Sequence, residues 1–175
     1  MGAEDTTMRM LAVCVVLLSQ LTLRGFTQQA ASTAKLAETV CTFDDGKQMK
    51  VEYSNSSPKR GEEFRDGKLW EPGGSPMFLF TQTALTLGGS GIPAGAYSLY
   101  VIPEKQHWTL VVNKNIAATA KYDEKQDVGR APMGIGQTDS PINPAQIAFD
   151  HIGTKQCNLR VYYETTGAWA EFHEK

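Results

Sequence analysis

No run of apolar residues in this chain reaches the roughly twenty needed to cross a bilayer as a helix. The longest, Met10–Leu23, has about fourteen, which excludes a spanning helix there. Charge of one sign is equally missing. The 17 basic residues face 19 acidic ones for a net charge of −2, with no basic stripe and no acidic tail, so the electrostatic footprint of a nucleic-acid binder is absent. Histidine is scarce. The three, His107, His151 and His173, are scattered, and no pair has the H-x-H or H-x-x-x-H spacing that places two imidazoles on one metal. There is no G-x-S-x-G to present a nucleophilic serine, no internal repeat and no coiled-coil period; Gly89-Ser90-Gly91 is only a turn.

What the first thirty residues do contain is an address. Arg9 precedes the short apolar run, and small and polar residues follow with cleavage expected after Ala30 or Ala34. The chain therefore divides into a signal peptide over 1–30, a short linker over 31–37 and one domain over 38–175. Its expected place is exported, periplasmic or secreted, with no transmembrane anchor after cleavage. Removing residues 1–30 takes two residues of each sign and leaves the net charge unchanged. Cysteine is nearly absent too. Of three, Cys14 leaves with the signal, and Cys41 and Cys157 remain as candidates for one disulfide in an oxidising compartment. Closing so long a loop stabilises a fold by roughly 4–5 kcal/mol in the chain-entropy model. The alternative is two buried thiols acting as small hydrophobes.

The domain reads as strands. Val40–Phe43, Asp44-Asp45-Gly46-Lys47 and Gln48–Ser54 form a hairpin, since Asp-Gly supplies the positive φ of tight turns. Met49, Val51 and Tyr53 alternate with Lys50 and Glu52, one face dry and one wet. Leu79–Leu87, Tyr97–Ile102 and Trp108–Val112 follow, punctuated by glycine and proline; Gln146–Ile152, Cys157–Glu164 and Ala168–Phe172 close the chain. About eight strands at hairpin spacing predict an all-β antiparallel β-sandwich or jelly roll. Residues 55–76 and 114–144 read as long irregular connections, with a short helical turn expected at Ile116–Lys121 and Phe64, Leu69 and Trp70 as anchors.

Tyr122-Asp123-Glu124-Lys125-Gln126-Asp127-Val128-Gly129-Arg130 is the densest cluster of hydrogen-bonding side chains. Its three carboxylates lack the order of an EF-hand loop, and the segment is expected to be an ordered loop clasped over one end of the sandwich, with Arg130 paired to Asp123 or Asp127. Trp70, Trp108, Trp169, Tyr100 and Tyr162 are candidates for an exposed stacking platform, Tyr100 and Tyr162 foremost.

These residues carry a resemblance. Cys41-Thr42-Phe43-Asp44-Asp45-Gly46-Lys47, V-x-Y-S at Val51–Ser54, Pro58, Trp70, I-P-A-G-A-Y-S-L at Ile92–Leu99, Ile102-Pro103, Trp108–Leu110 and the Tyr122–Arg130 run are similar to an exported bacterial family, the domain of unknown function numbered twenty-nine eleven. The likeness covers about residues 38–174. It implies no established activity. Where members carry two arginines before the third strand, this chain has Glu62 in Arg60-Gly61-Glu62 and Glu71 in Trp70-Glu71-Pro72-Gly73, so an anion pocket built on those arginines is not carried over.

Three functions remain. The first is a non-catalytic binding module for an unknown small ligand, glycan or envelope partner, with Arg60, Trp70, Glu71, Tyr122, Asp123, Asp127 and Arg130 as candidate binding residues and no cofactor or metal. The second is a carboxylate- or metal-dependent hydrolase using Asp123, Glu124, Asp127 and one histidine. The third is a purely structural envelope protein.

Overall fold

The computed structural model describes residues 36–57, 65–117 and 121–175. Arg60, Pro58, Phe64, the signal segment and residues 118–120 of the expected helical turn lie outside them. Among the described residues there is no α-helix, only a single 3-10 turn at Glu124–Gln126. Nine strands carry the fold: β1 Leu36–Thr42, β2 Gln48–Ser54, β3 Met77–Thr81, β4 Leu85–Leu87, β5 Ser90–Ile92, β6 Gly95–Pro103, β7 Trp108–Asn113, β8 Asp127–Gly153 and β9 Gln156–Glu174. They join in one antiparallel sheet of order β1-β2-β3-β6-β7-β8-β9-β4-β5.

The sheet folds over on itself because β8 serves both layers. Its first residues pair with β7, Trp108 opposite Met133, and the remainder pairs with β9 from Gly134 opposite Trp169 to Gly153 opposite Gln156. Between the layers lies one core. Leu79, Leu99, Val101, Leu110 and Val112 of β3, β6 and β7 meet Leu85, Leu87, Ile92, Leu159, Val161 and Phe172 of β4, β5 and β9, all fully buried. The free edge of β1 comes back against β8, where the Phe149 amide donates to Thr39 Oγ1 at 3.0 Å. The disulfide joins Cys41 of β1 to Cys157 of β9, with a Cα–Cα distance of 6.4 Å, as the pair of cysteines led us to expect.

The β1-β2 hairpin and the alternation of Met49, Val51 and Tyr53 are present as expected, with Lys50 and Glu52 half-exposed. Four boundaries differ. The run Leu79–Leu87 is two strands in different parts of the sheet. Thr81 Oγ1 donates to the Thr83 carbonyl at 2.7 Å and accepts from the Thr83 amide at 3.3 Å; this local side-chain bonding turns the backbone out of the ladder. The Gly88-Gly89-Ser90-Gly91 stretch is a two-residue hairpin with a further strand after it: Leu87 pairs with Ser90, and Gly88 and Gly89 both have positive φ, +54° and +85°, the requirement of a type I′ turn.

The largest difference is β8. Residues 127–144 were expected to be irregular and are strand. Its inward positions are Gly129, Ala131 and Met133, none of them β-branched or aromatic, and Pro132, Pro141 and Pro144 read as breakers; pairing on both sides overrides those weak local preferences. The strand bulges between Gln137 and Ile142 and again before Gln146, where the prolines fall. Likewise Cys157–Glu164 and Ala168–Phe172 are one strand, bent at Glu164, whose φ is 52°.

Candidate functional site

Two faces of the folded sheet carry the side chains that could do chemistry. The first is the outer face of β6 and β7, opposite the core. Cross-strand pairing sets Ser98 opposite Asn113, and Tyr100 opposite Val111, itself opposite Arg130 of β8. Ser98, Tyr100, Val111 and Asn113 are all buried there, at 0–2% exposure, so a second layer of chain covers this face.

That cover includes Asn115, whose carbonyl accepts from Ser98 Oγ, and the start of the Tyr122–Arg130 run, which lies over this outer face and not over one end as expected; from Asp127 on the run is β8 itself. The Tyr122 ring meets Tyr100 edge-on, 5.1 Å between centroids. Its hydroxyl donates to Asp127 Oδ2 at 2.7 Å and accepts from Arg130 Nη2 at 2.6 Å. Arg130 Nε also donates to Asp127 Oδ2 at 2.8 Å, and Asn113 Nδ2 to Asp127 Oδ1 at 2.7 Å and to the Asp123 carbonyl at 2.8 Å. Asp123 caps the 3-10 turn by accepting from the Lys125 amide at 3.0 Å. Glu124 adds an ion pair to Arg130 at 3.0 Å. Burial, then the hydrogen bond to Asp127, pushes the Tyr122 phenol up to about 12. Tyr100 is also raised, by burial first and then by the negative charge of Glu71.

The expected binding residues are therefore distributed. Tyr122, Asp123, Asp127 and Arg130 come together, with Glu71 near Tyr100, but they satisfy one another: Asp127 accepts from Asn113, Tyr122 and Arg130. Arg130 pairs with Asp127, one of the two partners expected for it. Trp70 is a core residue, 4% exposed, tilted against Tyr163 and edge-on to Trp108. Of the proposed stacking aromatics, Trp70, Trp108 and Tyr100 are buried. This corrects the expectation of Tyr100 as an outward residue: the clasp covers it. Tyr162 and Trp169 stay partly exposed on β9. Beside the clasp, Phe78, Phe80, Ala96 and Ile116 border an apolar hollow of about 230 Å3. The histidines each stand near one carboxylate, His107 by Glu104, His151 by Asp44 and His173 by Glu171. Among the described residues no three His, Cys, Asp or Glu converge as metal ligands, and no helix is long and apolar enough to cross a membrane.

The second face is the outside of β9, which borders a larger concavity. A groove of about 340 Å3 runs between the Gly88-Gly89 turn and β9, walled by Trp169, Glu171 and His173 and by Thr86 of β4. Its floor is made of small residues, Gly88, Gly89, Ala131, Pro132 and Gly134. The Trp169 indole lies on Gly134 so closely that a Cβ there would come within 2.3 Å of Cε2; an aromatic ring covering a cross-strand glycine in this way shields backbone that would otherwise be bare. The Tyr162 ring lies against Gly167 of its own strand, beyond the bend at Glu164, 3.1 Å from where a Cβ would stand. The Arg160 guanidinium stands 5.8 Å from the Trp169 ring centre and pairs with Asp150.

Sequence reasoning passed over this groove, although its signal was present. In Ala168-Trp169-Ala170-Glu171-Phe172-His173 the even positions are buried and the odd ones face out, a period-two pattern that places a tryptophan, a carboxylate and an imidazole on one strand face.

The family model described as protein of unknown function (DUF2911) matches residues 34–172. The chain belongs to that family. No curated protein and no solved structure matches it.

Proposed function

We propose that this protein is an exported, non-catalytic binding module that holds a small ligand in the groove beside Trp169. The observation that supports it is the groove itself: a volume of about 340 Å3 falls at the small end of ligand pockets, and its lining mixes an indole with exposed polar side chains, Glu171 and His173. The Tyr122–Arg130 clasp supports the reading in another way. The carboxylates that a hydrolase would need are engaged with Arg130, Tyr122 and Asn113, which makes that segment a structural part of the fold. Export is proposed from the N-terminal run and from the disulfide, which belongs to oxidising compartments. The test is a thermal-shift and tryptophan-fluorescence screen of the purified domain against small metabolites and glycans, beside a pull-down from envelope extract. A ligand that raises the melting temperature and loses its effect in Trp169→Ala supports the proposal; a protein that no small molecule or glycan stabilises overturns it.

A further inference from the structure

We infer that the groove beside Trp169 takes an uncharged sugar ring of the pyranose class. The inference rests on the reading of that groove as a ligand site and names what it holds.

Charge comes first. No lysine or arginine lines the groove, whereas Glu171 does; Arg160, the nearest guanidinium described, is drawn to Asp150 and lies over the indole. A phosphate, carboxylate or sulfated ligand would meet the Glu171 carboxylate in the lining, while the cations close by stand outside it: Arg160 over the indole, and Lys175 against Gly91, the cross-strand neighbour of Thr86. Anionic ligands are therefore disfavoured.

Shape comes second. Gly88 and Gly89 leave one side of the groove without side chains, so a flat ring can approach the backbone there, whereas Gly134 is covered by the indole. The Trp169 wall offers apolar surface fixed in one pose by Gly134, since the indole rests on that residue. A pyranose has the complementary make-up, C–H groups on one face and hydroxyls around its edge.

Hydrogen bonding comes third. Trp169, Glu171 and His173 alternate on one face of β9, so neighbours in that series stand about 7 Å apart, a spacing that spans a sugar ring. Glu171 accepts from Gln156 Nε2 at 3.1 Å and stands 3.7 Å from His173 Nε2. Its other oxygen and the imidazole remain to bond hydroxyls, and Thr86, the cross-strand partner of His173, stands beside the imidazole on the same face. A carboxylate that accepts from two adjacent hydroxyls gives orientation as well as affinity.

The experiment uses the intact disulfide-bonded domain and two sets of probes: neutral methyl glycosides and disaccharides in solution, and neutral polysaccharides by co-sedimentation. Trp70 and Trp108 are buried, so a change in indole emission reports on Trp169. The expected result is saturable quenching by at least one neutral sugar. Glu171→Gln and His173→Gln, which change exposed side chains and should leave the melting temperature in place, should each weaken binding about tenfold. Binding of short glycosides alone identifies a free-sugar ligand, and binding of polysaccharide with chain-length dependence identifies a glycan; either supports the inference. Saturable binding of anions or amines, with no response to any neutral sugar, overturns the sugar assignment while the groove stands as a ligand site. Silence to every probe overturns both.

Discussion

At the scale of single residues, Tyr122 carries more of the fold than its half-exposed position suggests. Its ring covers Tyr100, and its hydroxyl sits between Asp127 and Arg130. Tyr122→Ala should cost on the order of 2–4 kcal/mol in urea melts, and a change within about 0.5 kcal/mol would show that the segment is free of the sheet. Tyr122→Phe keeps the ring contact and removes only the hydroxyl, for about 1 kcal/mol. The phenol's proton gives a second check. A folded value of about 12 lies above the ordinary value near 10, so the folded state holds the proton more tightly than the unfolded chain. The stabilisation is whole below about pH 10 and is lost as the pH rises towards 12. Alkaline titration of tyrosinate absorbance should show a late-titrating phenol that disappears in Tyr122→Phe, together with a fall in stability across the same window. A wild-type stability that stays level through that window would contradict the clasp geometry.

At the scale of elements, the hairpins written in strong turn chemistry were legible and the glycine-rich ladder was not. Asp-Gly at 45–46 and the alternation around Val51 announced β1 and β2, and the clasp was legible in the crowding of Tyr122, Asp127 and Arg130. By contrast β8 was hidden, because Gly134 and Gly136 have no side chain to signal a strand and their partners Trp169 and Gly167 lie more than thirty residues away in sequence. The same pairing hid the groove: neither half of the Gly134–Trp169 contact means anything until the strands are paired. That contact makes a direct prediction. Gly134→Ala places a methyl where the indole lies, and the overpacking should cost about 1–3 kcal/mol. In a Trp169→Ala background the cost should shrink towards zero, leaving a coupling energy of similar size in a double-mutant cycle. An additive cycle would mean the ring does not rest on that glycine.

At the scale of the whole molecule, two devices close the sheet: β8, paired to β7 at one end and to β9 along the rest, and the Cys41–Cys157 bridge across 116 residues of sequence. Thiol titration of the denatured, unreduced domain should find no free cysteine. Replacing both cysteines by alanine should lower stability by up to about 5 kcal/mol, the loop-closure value for a ring of this length; a loss of only a few tenths would show that the bridge constrains nothing in the unfolded chain. The bridge also changes what happens when the protein is pulled. With the first strand locked to the last, tension applied at the two ends runs through the sulfur atoms and bypasses β2 to β8, so only the chain before Cys41 and the chain after Cys157 can be drawn out. Reduction would release a further extension on the order of 400 Å. A protein held between two anchoring points would thus give way by a short, fixed step while its disulfide is intact, and lengthen like a string once it is cut.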